Sequence, residues 1–394
     1  MKILYHHRIG SKDGQYVHIE EMVDAFRADG HEVRVVGPEG FDQREFGGES
    51  GLVSRLKAGI PGSIYELLEV GYNALDYARL ARAIREFRPD VIYERYNLSL
   101  LSGVMARRRL GIPLLLEVNA PLFAERSAYG GLKLAGLARW TERRAWRAAD
   151  HVFAVTEVLA GQIVDAGVER SRITVTPNGI NHQRFAPAID SESAKKSLGL
   201  DPQAMVIGFV GFAREWHGLD AVIELLAEYG DARPLHFLLV GDGPATAQLK
   251  QQAARAGVAD RLTVTGVVER DDVQRYVKAF DVAMLPNVVA YASPLKLFEY
   301  MACSKAILAP NQANLREILT HDHDAVLFEP GSRDAFKATM RRLIEDDDNR
   351  ARLASNARAT LVARDLSWAA NARHVAEIAD QLAEGRPSGI RGGG

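Results

Sequence analysis

Met205-Val-Ile-Gly208-Phe-Val-Gly211 reads as a strand that empties into a glycine, and the loop after it, Phe212-Ala-Arg214-Glu-Trp216-His217-Gly218, is cationic and leads into a helical run. An unbroken apolar stretch of this kind suits a strand covered on both faces, as in a parallel sheet whose strands alternate with helices. The same rhythm of β-branched run, polar or glycine turn and helical period continues at residues 236–240, 262–264, 282–285, 306–309 and 326–328. It also precedes this stretch, at 3–7, 32–36, 91–94, 114–118, 152–155 and 173–175, with helical patterns at 17–28, 72–87 and 134–148 between them. Two successive runs of βα units predict an α/β protein of two Rossmann-like domains facing each other across a cleft. The expected domains are residues 1–188 and 200–375, followed by a terminal helix end and flexible tail over 376–394. A charged stretch, 185–202, bracketed by Pro187 and Pro202, reads as the linker. The segment 334–383 reads as successive helices, with Ser367 as a cap for the last.

Composition narrows the function. Of 394 residues, 47% are hydrophobic and 25% charged, which is globular usage. Lys and Arg number 49 against 51 Asp and Glu, so the net charge of −2 supplies no global field for nucleic acid or an anionic membrane, while local patches stay open. The single cysteine, Cys303, excludes an intrachain disulfide and an all-cysteine metal cluster and fits a reducing cytoplasm. The opening MKILYHHRIG places charges and histidines where an export signal needs an apolar core, and no apolar run reaches membrane-spanning length.

Parallel sheets place their binding loops at the carboxyl ends of the strands, so the residues there are the candidates. After the first strand, Gly10-Ser-Lys-Asp-Gly14-Gln15 leads into a helix with His18 in its first turn, which is either an anion site at a helix start or a tight turn with a capping histidine. The pattern is not GxGxxG, which weakens a nicotinamide oxidoreductase. After the glycine strand, Gly211 and the cation Arg214 either hold a phosphate, with a bidentate grip from Arg214 and a partly charged His217, or Arg214 stands in a solvated loop with no ligand. Gly241-Asp-Gly243-Pro244 either lines a nucleotide pocket or ends its strand. Ser293-Pro294-Leu295-Lys296-Leu297-Phe-Glu299-Tyr-Met-Ala-Cys303 opens a helix whose free N–H groups attract a diphosphate. Lys296 and Glu299 share a face of that helix, where Glu299 can accept from a ribose diol or simply pair with the lysine. Asn119 follows the fourth strand with Glu117, Pro121, Glu125 and Arg126 nearby, and Glu125 and Arg126 serve either substrate or the loop. Pro177-Asn178-Gly179 makes a left-handed turn or a cleft contact. Asp346-Asp-Asp348 reads as a solvated face and not a metal site.

Together these segments, over nearly all of the chain, resemble the retaining glycosyltransferases of family 4, which have the GT-B fold. The family's Gly-Gly-x-x-x-His pattern appears as Asp13-Gly14-Gln-Tyr-Val-His18 with the first glycine replaced, its Pro-Asn-Gly element as residues 177–179, and its Glu-Ala-Met-Ala helix as Glu299-Tyr-Met-Ala302. Its two glycine turns correspond to 208–211 and 241–243. The resemblance implies transfer from a nucleotide-diphosphate sugar, UDP- or GDP-linked, with retained configuration, no metal and no covalent intermediate. It assigns Arg214, Lys296 and Asn119 to catalysis. Donor binding falls to Gly14, His18, Gly211, His217, Gly241, Gly243, Ser293, Pro294, Leu295, Leu297 and Glu299, the last on the ribose. Three departures from the pattern matter: Tyr291 replaces the first of two paired glutamates, Phe212 and His217 replace an arginine and a lysine, and Asn119 replaces an acceptor-side histidine. The implied acceptor is a saccharide or lipid-linked glycan, in exopolysaccharide or surface-glycan assembly in a bacterium. The segment 50–65, with Leu52, Arg55, Leu56 and Lys57, is either a membrane-touching acceptor segment or a solvated loop. Competing readings are a GT-B sugar-nucleotide epimerase or hydrolase, and a non-catalytic carbohydrate- or nucleotide-binding protein, which Tyr291 and Asn119 favour.

Overall fold

Six short apolar runs in each half pair edge to edge, and every pairing is parallel. The computed structural model describes residues 1–10, 14–38, 61–128, 131–185 and 189–384. The first sheet contains β1 (Lys2–His6), β2 (Glu32–Val36), β3 (Val91–Arg95), β4 (Leu114–Val118), β5 (His151–Ala154) and β6 (Ile173–Val175), in the order β2-β1-β3-β4-β5-β6. The second contains β7 (Met205–Val210), β8 (Leu235–Val240), β9 (Leu262–Val264), β10 (Val282–Met284), β11 (Ala306–Pro310) and β12 (Val326–Phe328), in the order β12-β11-β10-β7-β8-β9. Helices connect the strands, as parallel pairing requires. This is the expected GT-B architecture of two Rossmann-like domains.

The chain forms two compact units, one of Met1–Pro177 together with the segment from Trp368, the other Asn178–Ser367. Residues 368–375, expected with the second domain, therefore lie with the first, because the helix Trp368–Glu384 packs along the helix Gly14–Ala28. The stretch read as a linker is instead part of the second unit. Asp190 caps a helix, Ser191–Ser197, by accepting from the Ser193 N–H, and Lys195 anchors it with bonds of 2.9 Å to the Ala204 carbonyl and 2.7 Å to Asp281. A charged composition concealed one buried lysine whose ammonium has both partners. The three closing helices are Arg333–Glu345, Asp347–Ala363 and Trp368–Glu384. Asp346 caps the second of these, and Ser367 donates to Asp365 at 2.8 Å.

In the second unit both faces of the sheet are dry. Met205, Ile207 and Phe209 alternate into one cluster with Leu225, Leu226 and Phe336, while Val206 faces the other cluster with Phe280, Phe298 and Tyr300. Gly208 has a packing reason: a Cβ there would sit about 2.1 Å from the Phe280 ring. Overfilling a close-packed interior costs about 1–3 kcal/mol. Gly208→Ala should lower the urea midpoint accordingly, and Phe280→Leu in the same chain should restore part of it; a Gly208→Ala protein as stable as the parent would refute this packing.

Candidate functional site

Each sheet has one place where neighbouring strands lead off in opposite directions, between β1 and β3 in the first and between β7 and β10 in the second. Crevices at the carboxyl ends of such strand pairs are where α/β sheets hold ligands.

At the second of these, β7 leads into Gly211, with φ 128°, beside the turn of Gly241 and Gly243, with φ 132° and 155°. A Cβ on Gly241 would lie 2.3 Å from the Gly211 carbonyl oxygen, and one on Gly243 2.2 Å from that of Ala213. Two loops are thus laced backbone to backbone, with the Ala213 N–H donating to Asp242 at 2.8 Å and the Ala245 N–H to Ala213 at 3.1 Å. Their mutual approach accounts for both glycines. Tyr300 adds a brace, its buried hydroxyl accepting from the Val210 N–H at 3.0 Å.

The helix Leu295–Ala302 begins after Pro294 without a side-chain cap. Asn178 holds the residue before that proline on two sides: its N–H donates to Ser293 Oγ at 3.0 Å and its side-chain amide to the Ser293 carbonyl at 2.5 Å. The Pro-Asn-Gly element therefore positions the start of this helix. Leu297 is core, so only its backbone is open to a ligand, whereas Leu295, Lys296 and Glu299 are partly exposed.

Lys296 lies 4.0 Å over the Phe209 ring, and its ammonium would come within 3.0 Å of a Cβ placed on Gly211. Among the described residues it has no hydrogen-bond acceptor. Burial lowers its pKa to about 8, against a smaller opposing pull from Glu299. Arg214 is exposed, stacked at 5.1 Å on Phe212. His217 differs from the expectation of a partly charged ring. Burial first, then Lys296, bring its pKa down to about 4, and its Nδ1 accepts from the Arg214 N–H at 3.0 Å. It is a neutral imidazole whose Nε2 carries the proton, a donor without charge. The Phe212 and His217 departures thus leave two cations, Arg214 and Lys296, around Gly211.

At the first switch point the strand ends carry a buried polar cluster. His18 and Asn119, singled out separately in the sequence, converge on one carboxylate: His18 Nε2 is 2.9 Å from Glu117 Oε1, and the Asn119 amide donates to the same oxygen. Arg95 donates to it at 2.5 Å, and the Tyr93 hydroxyl donates to Oε2 at 2.8 Å. Burial alone would raise the Glu117 pKa, but His18, Arg95 and Tyr93 hold it well below the carboxylate range. The His18 ring meets Trp368 edge-on at 4.7 Å. Gly14 is the first residue of its helix, and Asp13 lies outside the described residues. Arg126 forms a pair with Glu69, at 3.1 and 3.2 Å. Asp347 pairs with Arg233 and Arg350, as suits a solvated face. Among the described residues no group of three or more His, Cys, Asp or Glu is placed to hold a metal ion.

Sequence reading passed over His6, Asp76 and Glu94. His6, wholly buried, lies with Nδ1 2.7 Å from Glu94 and Nε2 3.1 Å from Asp76. Burial alone would lower its pKa, but the two carboxylates raise it to about 9. The available signal was a histidine and a glutamate at the ends of two strands that pair, His6 opposite Glu94 in the register. The folded value lies above the unfolded one, so the stabilisation is complete below about pH 6.5 and is lost as pH rises through 9. A histidine NMR titration should find His6 charged at pH 7, and Glu94→Gln should flatten the loss of stability between pH 6.5 and 9; an imidazole already neutral at pH 7 would overturn this.

Comparison with known proteins agrees with this geometry in each unit separately. Residues 13–179 match the glycosyl transferase 4-like domain family and residues 190–360 the glycosyl transferases group 1 family. A 2-deoxystreptamine glucosyltransferase of Streptomyces kanamyceticus is 28% identical over 258 residues, 63% of this chain and 65% of that protein, just under two thirds of its length. A D-inositol 3-phosphate glycosyltransferase of Xylanimonas cellulosilytica is 27% identical, over 76% of this chain and 73% of its own. Among solved structures, Anabaena HepE in complex with UDP superposes with a TM-score of 0.75 at 20% identity, covering 97% of this chain and all of that one. Sucrose-phosphate synthase from Thermosynechococcus elongatus gives 0.78 at 16% identity, covering 98% and all, respectively. The chain thus has the GT-B fold, and its two halves are similar to the glycosyl transferase 4-like and group 1 families respectively.

Proposed function

We propose that the protein transfers a sugar from a nucleotide-diphosphate sugar to a hydroxyl of a saccharide or lipid-linked glycan, with retained configuration. The observation that carries this reading is Lys296: a cation without a hydrogen-bond acceptor among the described residues, beside Gly211 at the switch point of the second sheet, on the first turn of an uncapped helix. A diphosphate satisfies all three at once, since it supplies the missing acceptor, suits the dipole of the helix start and needs close backbone approach. HepE, of like fold, has been crystallised with UDP and with UDP-glucose, which favours a UDP-sugar over a GDP-sugar as donor.

In this reading the acceptor oxygen forms a bond to the anomeric carbon while the bond from that carbon to the diphosphate breaks. The acceptor proton passes to the departing diphosphate oxygen. Lys296, Arg214 and the backbone N–H groups at the start of the helix offset the charge that develops there, and His217 adds an uncharged donor. Glu299, one turn along, accepts from the ribose. Gly14, His18 and Asn119 serve the sugar and the acceptor; Asn119 is not a base, and Glu117, which holds it and His18, keeps both oriented. The family resemblance favours a place in bacterial exopolysaccharide or surface-glycan synthesis, and the single cysteine suits a reducing cytoplasm. The first part of the proposed acceptor segment, 50–60, lies outside the described residues, and its end begins a helix, Gly62–Gly71.

Ligand-observed NMR competition with nucleoside diphosphates and their sugar conjugates tests the donor site. Glu299→Ala should weaken nucleotide binding roughly tenfold to a hundredfold, and unchanged affinity would sink the assignment. Lys296→Met should lower turnover about 10²–10³-fold. Because the Lys296 pKa is about 8, diphosphate affinity should fall above that pH, approaching about tenfold per pH unit, and this step should vanish in Lys296→Met. Tight nucleotide binding with no donor consumption would favour the binding-protein reading, and consumption without an acceptor would favour hydrolysis or epimerisation.

A further inference from the structure

The first unit carries an arginine-rich face that the proposed chemistry does not use. Along the helix Ala135–Ala148, Arg139, Arg143 and Arg147 recur every four residues, and Trp140 and Arg144 run beside them at the same spacing. Residues four apart stand on one side of a helix, so these five form a continuous stripe. Arg139, Arg143 and Arg147 are exposed, and the Trp140 indole is 55% exposed. The stripe ends in a concavity of about 380 Å³ to which the helix Ser102–Leu110 contributes Arg107 and Arg108.

Some of this charge is already spent. Asp150 takes Arg107 in a bidentate pair at 2.6 and 2.7 Å, Arg147 donates to the Ala166 carbonyl at 2.6 Å, and Arg172 donates to carbonyls at the end of the helix. The only acid within the stripe's helix, Glu142, is buried and turned the other way, toward Tyr96 and the Phe123 N–H. Arg108, Arg143 and Arg144 have no acceptor among the described residues. Burial, then Arg108 and Arg107, lower the pKa of Arg144, as expected of cations held together against repulsion. In a chain of net charge −2 this density is local.

Topology separates the concavity from the candidate site. Both helices end where β4 and β5 begin, so Arg107, Arg108, Arg144 and Arg147 lie toward the amino ends of the strands, whereas Asn119 follows a carboxyl end. A small anion would be held by a closed ring of donors. Here the cations are strung along an open helix face with an indole among them, the combination that suits phosphate headgroups and the apolar boundary beneath them.

We propose that this face docks on an anionic lipid bilayer, with the arginines on headgroup phosphates and Trp140 at the interface. The proposal stands independently of the donor site. The full chain should sediment with phosphatidylcholine vesicles containing phosphatidylglycerol, weakly with phosphatidylcholine alone, and less as salt rises. Changing Arg139, Arg143 and Arg144 together to Gln should weaken that binding roughly a hundredfold at low salt, each basic residue near an anionic surface contributing about fivefold. Trp140→Ala should weaken it less and abolish a vesicle-induced blue shift in tryptophan fluorescence. Arg139, Trp140 and Arg143 are exposed, and the half-buried Arg144 has no acceptor among the described residues, so the urea midpoint should hold. Binding indifferent to anionic lipid, or retained by the triple variant, would overturn the proposal. So would inorganic pyrophosphate displacing the protein from vesicles at matched ionic strength, which would mark a small-anion site, or a single-stranded oligonucleotide binding more tightly than vesicles and depending on the same arginines.

Discussion

A parallel strand covered on both faces can place a polar side chain at little cost only at its ends, and this constraint organises both halves of the molecule. In the second unit β7 alternates between two apolar clusters until Val210, and the first departures from apolar character, Gly211 and then Arg214, come where the strand stops. In the first, His6, Glu94 and Glu117 lie at or near the carboxyl ends of β1, β3 and β4. These charged groups are tolerated because each finds partners: Glu117 gathers donors from His18, Arg95, Tyr93 and Asn119, and His6 sits between two carboxylates.

The two switch points solve the same problem differently. At the first, charge is neutralised within the protein: neighbouring carboxylates raise the pKa of His6 against its burial, and neighbouring donors lower that of Glu117 against its own. At the second, Lys296 has no hydrogen-bond acceptor among the described residues, and burial lowers its pKa to about 8. A site that is electrostatically incomplete by itself is the one expected to take an anion. Glycine has a matching role there: Gly241 and Gly243 let two loops meet through their backbones, which keeps Gly211 open in front of Lys296.

Much of the architecture was legible because strand periodicity and glycine turns are local signals. Runs such as 205–210 and 114–118 have no other plausible use, and each became a strand with the expected bounds. Lys195 shows the limit: its neighbours Lys196 and Glu192 are exposed, and nothing in the charged sequence distinguishes the one lysine that folds inward. At the candidate site the residue types around Gly211 and Ser293 were readable, but the charge state of His217 was not, because it depends on the burial and the Lys296 charge brought to it by folding. Asn178 and Ser293 were each noticed as motif residues, yet their two hydrogen bonds span 115 positions.

Sequence alone determined the alternation of strands and helices, the two sets of six strands, and which residue types stand at the strand ends, since all of these follow from neighbours along the chain. Tertiary structure decided which strand lies beside which, and therefore which ends form a switch point. It sent the last helix to the first unit and showed that the arginines of two helices gather on one face. Those outcomes depend on distances between residues far apart in sequence, and burial and Coulomb interaction act through those distances.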